Sequence, residues 1–120
     1  MAKYNILQEK SFGFAVRIVK LYKYLCEEKK EFVLSKQILR SGTSIGANIE
    51  ESIGGQSDKD FLSKLEISYK EARETNYWLR LLLATDYLTK EQADSLLVDN
   101  EELKKILAKI IITTKKKINI

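Results

Sequence analysis

Apolar residues recur along most of this chain at intervals of three and four, the spacing that places side chains on one face of a helix. Between about Ser11 and Glu28 two such stripes run side by side: Phe12, Ala15, Val19, Tyr22 and Cys26, and Phe14, Ile18, Leu21 and Leu25. The spacing predicts a first helix there, with Ser11 as its N-cap and Arg17, Lys20 and Lys23 on the remaining face. Residues 1–10 read as a loose N-terminal arm. The polar run Glu27-Glu28-Lys29-Lys30-Glu31 reads as a turn. A second helix follows from about Ser35, a further cap candidate, to Ile53, with Ile38, Ser41, Ile45, Ile49 and Ser52 on one face.

A third and longest helix is predicted from Ser57 to about Tyr87. Its seam is Phe61, Leu65, Ser68, Ala72, Thr75, Leu79 and Leu82, large at both ends and small in the middle. Ser57 with Asp60 resembles a capping box. The fourth helix starts at Thr89, with Gln92 completing a capping box, and runs to about Lys117 along Ala93, Leu96, Asn100, Leu103, Leu107, Ile110 and Thr114. Short turns at 29–34, 54–57 and 87–89 make consecutive helices antiparallel neighbours. The expected fold is all-α: a single-domain, antiparallel, up-down-up-down four-helix bundle over residues 1–120. The chain contains no proline, which suits long uninterrupted helices.

Two local features stand out. Gly42 and Gly46 lie one turn apart inside the second helix, although glycine in a helix interior costs about 1 kcal/mol relative to alanine. Close packing of another backbone explains them. The small residues Ser68, Ala72 and Thr75 of the third helix are the expected partners, and the Lys-Ser/Thr ending of a phosphate-binding P-loop is missing. Gly54-Gly55 marks the end of the second helix. The run Tyr77-Trp78-Leu79-Arg80-Leu81-Leu82-Leu83 is apolar nearly all round. That exceeds what one small bundle buries and assigns Tyr77, Trp78 and Leu81 to a contact between copies.

Composition narrows the chemistry. The chain has no histidine, which removes Ser-His and Cys-His nucleophile pairs and histidine-ligated metals. The single cysteine, Cys26, excludes an internal disulfide and reads as a buried thiol. No apolar run reaches the roughly 20 residues of a membrane span, and the first residues lack the apolar stretch of a signal peptide, so the expected location is the cytoplasm. No catalytic, cofactor or metal site is expected, and no enzyme activity. Asn48, Glu66, Arg73 and Asn76 lie near apolar seams and read as structural, with Glu66 and Arg73 placed to pair.

The 120 residues carry a formal net charge of +4. In the fourth helix Glu91, Asp94, Asp99, Glu101 and Glu102 come early, and Lys104, Lys105, Lys109, Lys115, Lys116 and Lys117 come late. Such an order complements the helix dipole, and it equally provides a surface for an anionic partner, RNA or DNA. With the first and fourth helices adjacent, Arg17, Lys20 and Lys23 are expected to share that surface.

These residues resemble a known family. The stretch from Phe32 to Glu51, FVLSKQILRSGTSIGANIEE, and the stretch from Phe61 to Leu79, FLSKLEISYKEARETNYWL, are similar to the bacterial four-helix-bundle proteins encoded by intervening sequences in 23S ribosomal RNA genes. The resemblance covers most of residues 12–117. It implies a ring-shaped assembly, a homopentamer in relatives, and no enzyme activity. A branch related in fold, the accessory proteins of diversity-generating retroelements, forms basic pentameric barrels that bind nucleic acid and a reverse transcriptase. The resemblance defines no active residues to carry across. Two functions follow as expectations: a homo-oligomer binding nucleic acid through basic surface, or a scaffold for a protein partner such as a reverse transcriptase.

Overall fold

The computed structural model describes residues 2–119, with side chains described from Ile6 onward. Among them are four helices and no strand: α1 (Ala2–Glu27), α2 (Leu34–Ile53), α3 (Asp58–Ala84) and α4 (Lys90–Lys117). They form one bundle with extents of 47 × 22 × 22 Å. Contacts between neighbours run in opposite directions along each pair. Gly42 and Gly46 of α2 face Ile18 and Ser11 of α1. Ser41 and Ile45 of α2 meet Thr75 and Ser68 of α3. Asn100 reaches Ala72, and Asp99 and Glu102 pair with Arg17 and Lys10. The bundle is therefore antiparallel and up-down-up-down, with α1 touching α2 and α4 but not α3.

The core follows the expected faces on three helices. Ile38, Ser41, Ile45, Ile49 and Ser52 of α2 are all buried, as are Leu65, Ser68, Ala72, Thr75, Leu79 and Leu82 of α3. On α4 the last turns differ by one position: Ile111 is buried and Ile110 only half-buried. At mid-height the core is small and polar. Ser68 Oγ donates to the Ile45 carbonyl (2.8 Å), Thr75 Oγ1 to Ser41 Oγ (2.9 Å), and Asn100 Nδ2 to the Ala72 carbonyl (2.9 Å). These bonds meet the demand that buried polar groups find partners. Asn100 Oδ1 is the one buried side-chain polar atom without a partner among the described residues.

The first helix departs from its expected description in two ways. Residues 2–10 are helical, not a loose arm; Met1 lies outside the described residues. The cause is that Leu7 and Ser11 extend the stripe Phe14, Ile18, Leu21 and Leu25 backwards at spacings of four and three, and all six are buried. That stripe is the core face. The other stripe looks outward, with Phe12 70% exposed and Val16 and Val19 also open to solvent.

The glycines pack differently from expectation too. A Cβ on Gly42 would stand 2.7 Å from Ile18 Cγ1 and one on Gly46 3.3 Å from the Ser11 carbonyl, so their partner is α1 and not the small residues of α3. Ser57 and Thr89 cap α3 and α4 as their sequences suggest, Thr89 with Gln92 in a full capping box. The α2 cap is not Ser35 but the buried carboxylate of Glu31, which accepts from the backbone N–H groups of Val33 (3.1 Å), Leu34 (3.0 Å) and Ser35 (2.7 Å). No glycine among the described residues has a positive φ, whereas Lys30 (53°), Asp86 (67°) and Asn119 (57°) do. Gly54 ends α2 at φ −84°, without the left-handed turn usual at that position.

Candidate nucleic-acid interface

Antiparallel pairing decides where the basic residues fall. Arg17 lies opposite Ser95 and Asp99: its Nη1–H donates to Asp99 Oδ2 (2.5 Å) and its Nη2–H to Ser95 Oγ (2.9 Å). Lys20 lines the adjoining groove of about 610 Å³ between α1 and the start of α4, beside Glu91 and Gln92. Lys23 lies farther toward the same end. The late lysines of α4 run the other way from Asp99, from Lys104 and Lys105 about 8–9 Å along the axis to Lys115 about 24 Å, at roughly 1.5 Å per residue. Arg17, Lys20 and Lys23 therefore diverge along the axis from the α4 lysines, with Lys104 and Lys105 nearest to Arg17. The first and fourth helices are adjacent but run in opposite directions, so the two basic clusters extend from mid-bundle toward opposite ends.

The late lysines divide again by face. Lys104 is paired with Glu101 (3.4 Å), Lys115 with Glu66 (3.3 Å) and Lys117 with Asp58 (3.4 Å). Glu66 thus pairs across to α4 rather than with Arg73 on its own helix. Lys105, Lys109 and Lys116 are exposed and have no acid within 4 Å among the described residues. Spaced by four and seven, they form one line along the outer face of α4, about 16 Å long. Lys109 and Lys117 also edge a cavity of about 700 Å³, whose walls include Phe61, Ile110 and Ile53 beside the α2–α3 turn.

The aromatic end of α3 splits as well. Trp78 packs half-buried against the core and donates Nε1–H to Glu74 (3.1 Å), and Leu81 is half-buried. Tyr77 projects outward, 50% exposed. Glu74 and Glu71 both hold Arg40 of α2. Sequence reasoning missed the outer face of α3 as a basic surface: Lys70, Arg73 and Arg80 are exposed on the same side as Tyr77. The signal was present in their spacing of three and seven, but acids interleaved on the same helix, Glu71 and Glu74, hid it.

Cys26 is half-buried, with Sγ 3.8 Å from Ser35 Oγ. A hydrogen bond from the Tyr22 phenol to the same cysteine, with the charge on the thiolate beside it, pushes Tyr22 above its usual value. Among the described residues no three His, Cys, Asp or Glu side chains are grouped to hold a metal. No helix is long and apolar enough to cross a membrane.

Comparison with known proteins agrees with the fold. A crystal structure of a protein of unknown function from the S23 ribosomal protein family of Bacteroides thetaiotaomicron VPI-5482 shares 59% identity, with a TM-score of 0.90 over 91% of this chain and 97% of that one. No curated protein matches the chain. The family model described as 23S rRNA-intervening sequence protein matches residues 3–109. Four antiparallel helices, the extent of that match and the shared structure together place the chain in the family of 23S rRNA-intervening sequence proteins.

Proposed function

We propose that the protein is a non-enzymatic, self-associating cytoplasmic bundle that holds nucleic-acid backbone on the outer face of α4. The observation that carries this reading is the line of Lys105, Lys109 and Lys116, three exposed ammonium groups without acidic partners among the described residues. Ammonium groups act as point charges and hold phosphates without reading bases. The family name of the matching model, with its ribosomal RNA origin, supports the same class of partner. The sequence has no histidine, the commonest general base, which supports a binding rather than a catalytic role.

The test is a salt titration against one labelled RNA and one duplex DNA. Replacing Lys105, Lys109 and Lys116 by Gln should flatten the slope of log K against log salt by about 2–3 for the duplex, since each neutralised phosphate contributes about 0.9. Lys104→Gln should change it little, because Lys104 is engaged with Glu101. Coincident slopes for wild type and triple variant, or no binding at about 50 mM salt, would favour the protein-scaffold function instead.

Self-association rests on Phe12, Val16 and Val19, an apolar line left open on α1. Light scattering should give a mass of several 13.9 kDa protomers, five on the family resemblance. Phe12→Asp should lower that mass without loss of helicity, because Phe12 is 70% exposed in the single chain. A monomer mass for the wild type at micromolar concentration removes self-association from the proposed function.

A further inference from the structure

Lys70, Arg73, Tyr77 and Arg80 stand at spacings of three, four and three on α3, so all four share one outer face about 15 Å long. Their charge is uncompensated. The acids nearest in sequence are engaged elsewhere: Glu66 with Lys115, and Glu71 and Glu74 with Arg40. Lys70 and Arg73 have no ionic partner among the described residues. Arg80 commits only its Nε–H, to Asn76 Oδ1 at 2.8 Å, and keeps its other N–H donors.

Between these cations stands an aromatic ring held in place but not covered. Trp78, fixed by its bond to Glu74, meets the Tyr77 ring with centroids 5.1 Å apart and 73° between the planes. Tyr77 nevertheless remains 50% exposed. Cations that track a phosphate chain, interleaved with an aromatic on which a base stacks, are the elements by which proteins grip single strands. The lysine line of α4 has no aromatic residue in it. Guanidinium groups add donors that fork onto phosphate and planes that stack on bases, which ammonium groups lack.

We propose that the outer face of α3 is a single-strand platform, on which a base stacks on Tyr77 while Lys70, Arg73 and Arg80 hold the adjoining phosphates. This rests on the nucleic-acid reading of α4 and adds a preference for unpaired strands. Duplexes have no free base to offer Tyr77, so they depend on the cations alone.

The probes are a labelled oligothymidine of about 12 nucleotides and a duplex of about 12 base pairs. Tyr77→Ala and Tyr77→Leu should weaken oligothymidine binding by roughly tenfold to a hundredfold, the equivalent of one lost stack, and leave duplex binding unchanged. Tyr77→Phe keeps the ring and should bind like the wild type. Replacing Lys105, Lys109 and Lys116 by Gln should weaken both probes. Tyr77 is exposed, so these variants should melt like the wild type. Oligothymidine affinity unchanged in Tyr77→Ala and Tyr77→Leu, with the lysine variant still impaired, overturns the platform and leaves the α4 reading standing. A wild type that binds neither probe overturns both. A fall in oligomer mass for Tyr77→Ala with unchanged affinity assigns the ring to contact between copies and also overturns the platform.

Discussion

Gly42→Leu should unfold the protein at a markedly lower temperature than the wild type. The first added carbon already stands 2.7 and 2.9 Å from Ile18 Cγ1 and Cγ2. Ile18 is fully buried and its branch is stiff, so it has nowhere to turn. Overpacking costs typically 1–3 kcal/mol and the larger side chain belongs at the upper end, about 3 kcal/mol. In a domain of this size that is a fall of about 10 °C. Gly42→Ala should lose less, because the overpacking is partly offset by alanine's helix propensity, about 1 kcal/mol. Gly13 supplies the control. It lies inside α1 with nothing within 4 Å of an added Cβ, so Gly13→Ala should stabilise by up to about 1 kcal/mol. Thermal melts of the three variants check the account; a Gly42→Leu protein with an unchanged midpoint would reject it.

Glu31→Ala should cost about 2 kcal/mol, the upper range for a lost cap, because one carboxylate serves three backbone donors and the Ser35 N–H is buried. The same residue gives stability a pH dependence. Burial alone would raise the Glu31 pKa, but the N–H groups of Leu34, Ser35 and Val33, with the Ser35 hydroxyl, together hold it below the usual carboxylate value. A depressed pKa contributes stability that is fully present above the unfolded value, near 4.3, and is lost as pH falls through the folded value. The wild type should therefore lose this contribution below about pH 4, and Glu31→Gln should show a shallower acid limb. Urea melts between about pH 2 and pH 7 check both statements; parallel acid limbs would refute them.

The parts legible in the sequence were those where one pattern had no rival. The α2 face from Ile38 to Ser52 has a single apolar stripe against polar flanks, and all five positions are buried. Ser57 and the Thr89–Gln92 pair sit directly before their helices, where a cap must be. On α1 two apolar stripes competed, and hydrophobicity cannot choose between Phe12 and Phe14; the Ser11–Gly46 and Ile18–Gly42 contacts decide it. Glu31 went unread as a cap because it lies inside a charged run and reaches forward by up to four residues. The charged residues of the candidate interface were legible in the sequence, but their ionic partners were not. Charge counts found the α4 lysines, yet which of them are free depends on Glu66 and Asp58, distant in sequence. Arg17 and Lys20 lie at other axial levels than most of the α4 lysines because axial level is a property of the paired helices, not of either sequence alone.

The left-handed backbone positions carry an unused reserve of stability. Lys30 and Asp86 sit at positive φ, where a side chain costs about 1–2 kcal/mol and glycine nearly none, while every glycine among the described residues keeps an ordinary backbone. Glycine here supplies the absence of a side chain rather than freedom of the chain. Both residues occupy turns at the same end of the bundle, remote from the α4 lysine line. Lys30→Gly should therefore stabilise the protein, net of the added unfolded-chain entropy, by about 0.5–1 kcal/mol, read as a higher midpoint in a thermal melt. A more heat-resistant form of the protein is within reach of its loops, with the helices, their caps and the basic faces left as they are.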